Sequence, residues 1–335
     1  MDWPPAAKAA VHTHDPARPR SGRRRLSAAR ADFFLDPDHR LTDEERALMG
    51  AMARGIVGEI ADELLSAIPA ILSARAEGHR DLLYARLLSS ASFQSDEFVR
   101  LLLRRSDEQR LAGTQARDSS GLVASLVSDA DASIADAAMD LTISRGHRTD
   151  RFGRMGIGFD DLSGEDAVAI VYAVAACLRE ALDPDADLAL ADAARDLLAQ
   201  HDEGRRIEAK VEALARALDA GGRATDDKIR EIAASRDIAL MCALMARRGG
   251  ISFDDAWDMA MAGDAMLLAR IAQCDRTTAA QIIASFDRLP GEDGAERAIE
   301  RYDRLGEPDV DRYRNWLRLD PHYRKACLQM DRDNG

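Results

Sequence analysis

The feature that most limits what this chain can fold into is the dense helix punctuation of TDDKIREIAASRDIALMCALMARRGGISFDDAW, residues 225–257. Thr225 is placed to cap a helix whose first turn carries Asp226 and Asp227, acids suited to the positive end of a helix dipole, and Ile229, Ile232 and Ala233 share one face. Ser235 can cap a second helix with Ile238, Cys242 and Met245 inward, and Arg247 and Arg248 complement its negative end before Gly249. Ser252 starts a third helix with Asp254 and Asp255 in its first turn. Thr278 with Gln281 reads as a capping box for a later one carrying Ile282, Ile283, Phe286 and Leu289 up to Pro290. Each cap contributes about 1 kcal/mol. Helices below roughly 12 to 15 residues are marginal alone in water, so these persist only when stacked on neighbours. The stretch predicts scaffolding rather than a catalytic constellation of acids and a cysteine.

The rest of the chain points the same way. Aromatic residues are only 5% and runs of alternating Val, Ile and Thr are absent, which favours helix over sheet. The 335 residues suffice for one large or two ordinary domains. Thr42 and Glu45 form a capping box ahead of Leu48, Met52, Ile56, Ile60 and Leu64, a long amphipathic helix ending near Pro69. Its stripe can pack on its own chain, the preferred reading, or form a homodimer seam through residues 43–68. Helical units continue at 80–88 and 96–105, with a box of Ser106 and Gln109 opening 107–117, then at 121–127 and 132–143. Pairs of such helices have the length of helical-repeat units. AVAIVYAVAACL, residues 167–178, is apolar all round and is expected to be covered on several sides, while IEAKVEALARAL at 207–218 turns Ile207, Val211, Leu214, Ala215 and Leu218 inward. GIGFDD at 156–161 echoes in GISFDD at 250–255, either two related halves or the shared chemistry of helix starts. The expected organisation is a disordered basic tail (1–28), an N-terminal helical array (29–204), a C-terminal helical subdomain (205–290) and a polar helical tail (291–335).

The segment 217–274, together with RFGRMGIGFDDLSGEDAVAIVYAVAACLRE (151–180) and LSAARADFFLDPDHRLTDEERALMGAM (26–52), resembles the alphaproteobacterial proteins catalogued as domain of unknown function 2336. The likeness runs from about residue 26 and is carried by helix punctuation rather than by reactive residues. It implies an all-α, HEAT-like helical array (an α-solenoid) with a long N-terminal amphipathic helix, and it brings no catalytic residues.

Function classes narrow on charge and motifs. The net charge of −13 divides into +5 over residues 1–30 and −18 beyond, so the body is no surface for nucleic acid; only the tail, with Arg23, Arg24 and Arg25, suits an acidic partner or nucleic acid, the basis for a second alternative, nucleic-acid binding through the tail. The four cysteines lie far apart without a CxxC pair, as buried apolar thiols of a reducing compartment do. The N-terminus lacks a secretion signal's apolar core, and residues 167–178 are too short to span a bilayer, so a cytoplasmic protein without membrane contact is expected. Gly153, Gly156 and Gly158 follow no strand and precede no GK[ST], so they read as a loop between helices rather than a phosphate cradle. Asp160, Asp161, Glu165 and Asp166 lack EF-hand spacing and suit a helix N-terminus. None of the seven histidines forms HxxxH or HExxH, and no GxSxG occurs. His201 beside Asp202 resembles a phospho-accepting histidine, the basis for an alternative phosphotransfer reading. Trp257 suits a core, whereas Tyr313 and Trp316 among arginines are candidate interaction anchors. The resulting expectation is a non-enzymatic protein without cofactor or metal, a regulatory adaptor or scaffold for another protein.

Overall fold

The computed structural model describes residues 41–73, 80–87, 93–112, 116–150, 153–182, 184–286 and 295–333. The basic tail, with Arg23, Arg24 and Arg25, and the helix stop at Pro290 lie outside them. The described residues form 17 α-helices and no strand, an all-α protein. In chain order these begin with α1 (Asp43–Ala67), α2 (Ala70–Ser73), α3 (Arg80–Leu87), α4 (Asp96–Ala112), α5 (Ala116–Leu126), α6 (Ala132–Arg148), α7 (Gly164–Arg179) and α8 (Asp187–Leu198). There follow α9 (Ile207–Ala220), α10 (Asp226–Ala234), α11 (Ile238–Gly249), α12 (Phe253–Met261), α13 (Ala265–Ile271), α14 (Arg276–Ser285), α15 (Ala295–Arg304), α16 (Glu307–Leu317) and α17 (Pro321–Asp333).

The capping box that opens α1 is complete: the Glu45 amide donates to Thr42 Oγ1 at 3.2 Å and the Thr42 amide donates to Glu45 Oε2 at 3.1 Å. Met49, Met52, Ile56, Ile60 and Leu64 are buried against α3, α4, α7 and α8, so α1 is the axis of the first half. Its apolar stripe is used within the chain, which leaves none of these side chains to a dimer seam through residues 43–68. AVAIVYAVAACL is covered by three helices, with one stripe left exposed. α7 packs on α1, α3 and α8, while Val168 and Tyr172 on its other face are each 47% exposed, against the all-round burial expected from composition.

From α9 onward, short helices stack on near neighbours in sequence: α9 on α11, α11 on α12, α12 on α13, α13 on α14 and α14 on α15. Thr225 and Ser252 cap α10 and α12 as their sequence positions suggest. The starts of α11 and α14 differ from the reading above, because carboxylates take the place of hydroxyls. Asp237 accepts from the Leu240 amide at 3.1 Å and Asp275 from the Thr278 amide at 2.7 Å. Ser235 instead donates to the Ile232 carbonyl, and Thr278 lies inside its helix. The end of α11 divides its work between two glycines. Gly250 turns the chain at φ 64°, and Gly249 leaves room for Ile271, whose Cγ2 would lie 2.7 Å from an added Cβ.

The largest difference is in α4, which runs unbroken through Ser106 where the sequence suggests a new start. Ser106 is fully buried inside the helix, and the i,i+3 pair Arg105–Glu108 bridges the position. Continuity here matters because α4 joins two separate apolar cores. Phe98, Val99, Leu102 and Leu103 belong to a first core drawn from residues 49–103 and 157–194. Leu111 belongs to a second drawn from residues 111–141 and 207–317. The cores therefore interleave along the chain, with α5 and α6 joining the C-terminal body rather than dividing near residue 204.

Candidate functional site

Between Leu103 and Leu111, α4 carries seven consecutive polar residues, Arg104 to Arg110, of which the first four are buried. Helical spacing explains their position: Phe98, Leu102 and Arg105 fall on one face, so Arg105 continues the apolar stripe with a guanidinium. On α9 the inward stripe of Val211, Ala215 and Leu218 is likewise headed by Glu208. Each helix thus sends a charge inward where a leucine would fit, and the charges meet.

Glu208 is shared. Its Oε2 accepts from Arg105 Nη2 at 2.8 Å and its Oε1 from Arg104 Nη1 at 3.2 Å. Arg105, with no exposed surface, also donates to Glu108 Oε1 at 2.9 Å. Arg104 reaches Asp254 Oδ1 at 2.6 Å, and its guanidinium lies 4.9 Å from the Phe253 ring centre and 5.5 Å from that of Trp257. Trp257 is thus a core residue with one face turned to a cation. Nearby, Arg145 of α6 holds Asp237 with two bonds of 2.6 and 2.8 Å. Burial alone would raise Glu208, but the two guanidiniums outweigh it and hold the carboxyl down to about 2. Burial raises Glu108 despite Arg105. Burial also pushes Asp258, one turn past Asp254, up to about 6 against the pull of Arg100 and Arg104.

A second polar junction ties two helix starts. The Asp161 carboxylate accepts from Arg148 Nε at 2.5 Å, from the Gly158 amide at 2.9 Å and from the Ile207 amide at 3.1 Å. It caps α9 from 46 residues away. Glu203 returns the contact by accepting from the Gly164 amide of α7 at 2.7 Å. His201 lies between these segments, its Nε2 3.2 Å from the Leu162 carbonyl and its ring edge-on to Phe159. The imidazole of the phosphotransfer reading is partly buried with that nitrogen engaged. GIGFDD forms a 3-10 turn, Phe159–Asp161, ahead of α7, whereas GISFDD runs straight into α12; the likeness is chemical, with the second aspartate gripped by an arginine in each case, Arg148 and Arg324.

No family model, curated protein or solved structure matches this chain. What the residues can do follows from their geometry. Arginine does not exchange protons near neutrality and Glu208 stays ionised, so the network holds charge in place. Burial raises the Cys242 thiol far above its ordinary value and pushes Cys274 up to about 12, which keeps both protonated. Among the described residues no three His, Cys, Asp or Glu side chains converge as a metal would require. A shallow cavity of about 210 Å³ lies between α9, α11 and α12, lined by Glu212, Ala246, Ile251, Phe253 and Asp254. Of the two aromatic candidates, Tyr313 is buried in the second core and Trp316 is half-buried against it. Among the described residues, no helix is long and apolar enough to cross a membrane. Sequence reading missed the Arg104–Arg105–Glu208 cluster. Its trace was there, as charged residues at two stripe positions of otherwise apolar helix faces.

Proposed function

We propose that this protein is a non-enzymatic, HEAT-like helical array of the cytoplasm that serves as a regulatory adaptor or scaffold for another protein. The observation that carries this reading is the mutual engagement of the buried reactive side chains. Glu208, Asp161 and Asp237 hold arginines or cap helices, and the two most buried thiols are kept protonated. The stacked helices from α9 to α16 support it further, since arrays of this kind offer extended outer surfaces for recognition. The soft resemblance to the domain of unknown function 2336 proteins belongs to the same proposal and supplies the expectation of a HEAT-like array. The test is affinity capture of the tagged full chain from its native cells, with cross-linking, followed by titration of the identified partner against the purified protein. Saturable one-to-one binding is expected, and absence of any protein above background after cross-linking would remove the reading.

A further inference from the structure

The two apolar bodies are joined by charges. Each has its own contiguous core, and the chain passes between them along α4, through residues 149–156 and through 199–206. The side chains that α4 sends into the junction are Arg104 and Arg105, with Glu108 bonded to Arg105. Across it stand Glu208 and Asp254, with Phe253 and Trp257 turning ring faces to Arg104. The other ties are of the same kind: Arg148 to Asp161, the Ile207 amide to Asp161 and Arg206 to the Leu162 carbonyl. An apolar junction would expose surface to water on parting. An ion-paired one regains hydration for every charge it uncovers, so the closed form carries a desolvation penalty that opening relieves.

We infer that this junction is a conformational joint, in which the two bodies part along the Arg104–Arg105–Glu208 seam while each keeps its core, with Glu208 as the latch. The latch is a single side chain because one carboxylate answers both guanidiniums, so its loss removes a partner from two arginines at once and leaves Arg104 to Asp254 and Arg105 to Glu108. Leu111 keeps the end of α4 anchored in the second body, which makes the last turn of α4 the pivot. Sub-global opening of this kind occurs at free energies below that of complete unfolding.

The chain holds its own reporter. Cys242 of α11 is fully buried, and Arg104 and Glu108 are among the charges acting on its thiol; α11 packs directly on α4. Cys274, buried at the α13–α14 turn beside Arg248 and Asp226, lies away from the seam. Cys242 lies in the second core on α11, and parting withdraws α4 from that helix, so the first thiol gains access while the second stays covered.

The experiment is maleimide labelling of the full chain under native conditions, with the modified cysteines quantified by peptide mass mapping in the wild type, Glu208→Gln and Asp254→Asn. Glu208→Gln is expected to raise the Cys242 labelling rate about tenfold, the ratio that corresponds to about 1.4 kcal/mol, with Cys274 unchanged. Asp254→Asn, at a side chain 61% exposed, disturbs the fold less and is expected to raise Cys242 labelling about threefold, again without Cys274. Should Glu208→Gln fail to fold, Asp254→Asn is judged by the same criterion. Selective acceleration at Cys242 supports the joint. Equal acceleration at both cysteines, or none at Cys242, overturns it.

Discussion

Asp258→Asn should make the protein more stable at neutral pH. Asp258 lies in α12 within the fields of Arg100, Arg104, Asp254 and Asp255, and its carboxylate makes no hydrogen bond or ion pair among the described residues. Burial lifts its carboxyl from 3.8 to about 6, because Arg100 and Arg104 only partly offset the lost hydration and the two neighbouring aspartates oppose ionisation. The sign follows from proton binding. Between those two pH values the folded chain holds a proton that the unfolded chain has released, so stability falls as pH rises through that window and then levels off. At about 1.4 kcal/mol per pH unit, the full penalty above pH 6 is about 3 kcal/mol. The replacement amide also loses hydration, which reduces the net gain to about 1–2 kcal/mol. For a chain of this size that is a rise in Tm of roughly 1.5–3 °C. Thermal unfolding of both proteins from pH 3.5 to 8 measures it. The variant should be about 1–2 kcal/mol less stable than the wild type below pH 4, overtake it between 4 and 6 and hold a constant lead above. A difference independent of pH, or a variant less stable at pH 7.5, would show that Asp258 is not desolvated as its position requires.

Glu208 titrates with the opposite sign. Its carboxyl is held at about 2 instead of the ordinary 4.5, so its stabilisation is complete above 4.5 and disappears as pH falls through about 2. The amount is about 3 kcal/mol, and Glu208→Gln should abolish this acid limb in urea titrations while lowering stability at pH 7 by about 3 kcal/mol or more. Thr42→Ala removes the hydroxyl of the α1 capping box and should lower stability by about 1 kcal/mol in chemical denaturation, with Thr42→Ser restoring it. The adjacent glycines of α11 should respond for different reasons. Gly249→Ala pushes a methyl into Ile271 within the second core, an overpacking of about 1–3 kcal/mol. Gly250→Ala forces a side chain into the left-handed region at about 1 kcal/mol. Gly250→Asn, which tolerates that conformation, should recover part of the loss in the second case, whereas Ile271→Leu, which lacks the β-branch methyl that meets the added Cβ, should relieve the first.

Much of the architecture was legible because helix punctuation is local. Thr42 with Glu45, Thr225 and Ser252 cap helices by bonds within three residues, and the stripes of α1, α9 and α10 need only a period of 3.6. Where two local caps competed, sequence alone did not separate them. Asp237 outranks Ser235, and Asp275 outranks Thr278, because a carboxylate accepts the amide proton more strongly than a hydroxyl does. The Ser106–Gln109 motif has the pattern of a helix start yet lies inside α4, since a capping pattern works only where the chain actually turns.

The sequence by itself determined that this is an all-helical protein of short, individually capped segments around a long amphipathic first helix, since those properties depend on neighbours a few positions apart. Tertiary structure alone decided that α5 and α6 join the C-terminal body, that Asp161 caps a helix from far along the chain, and that Arg104 and Arg105 meet Glu208 out of water. Those outcomes depend on which faces come together, and a stripe position occupied by a charge does not announce its partner until another helix supplies the opposite one.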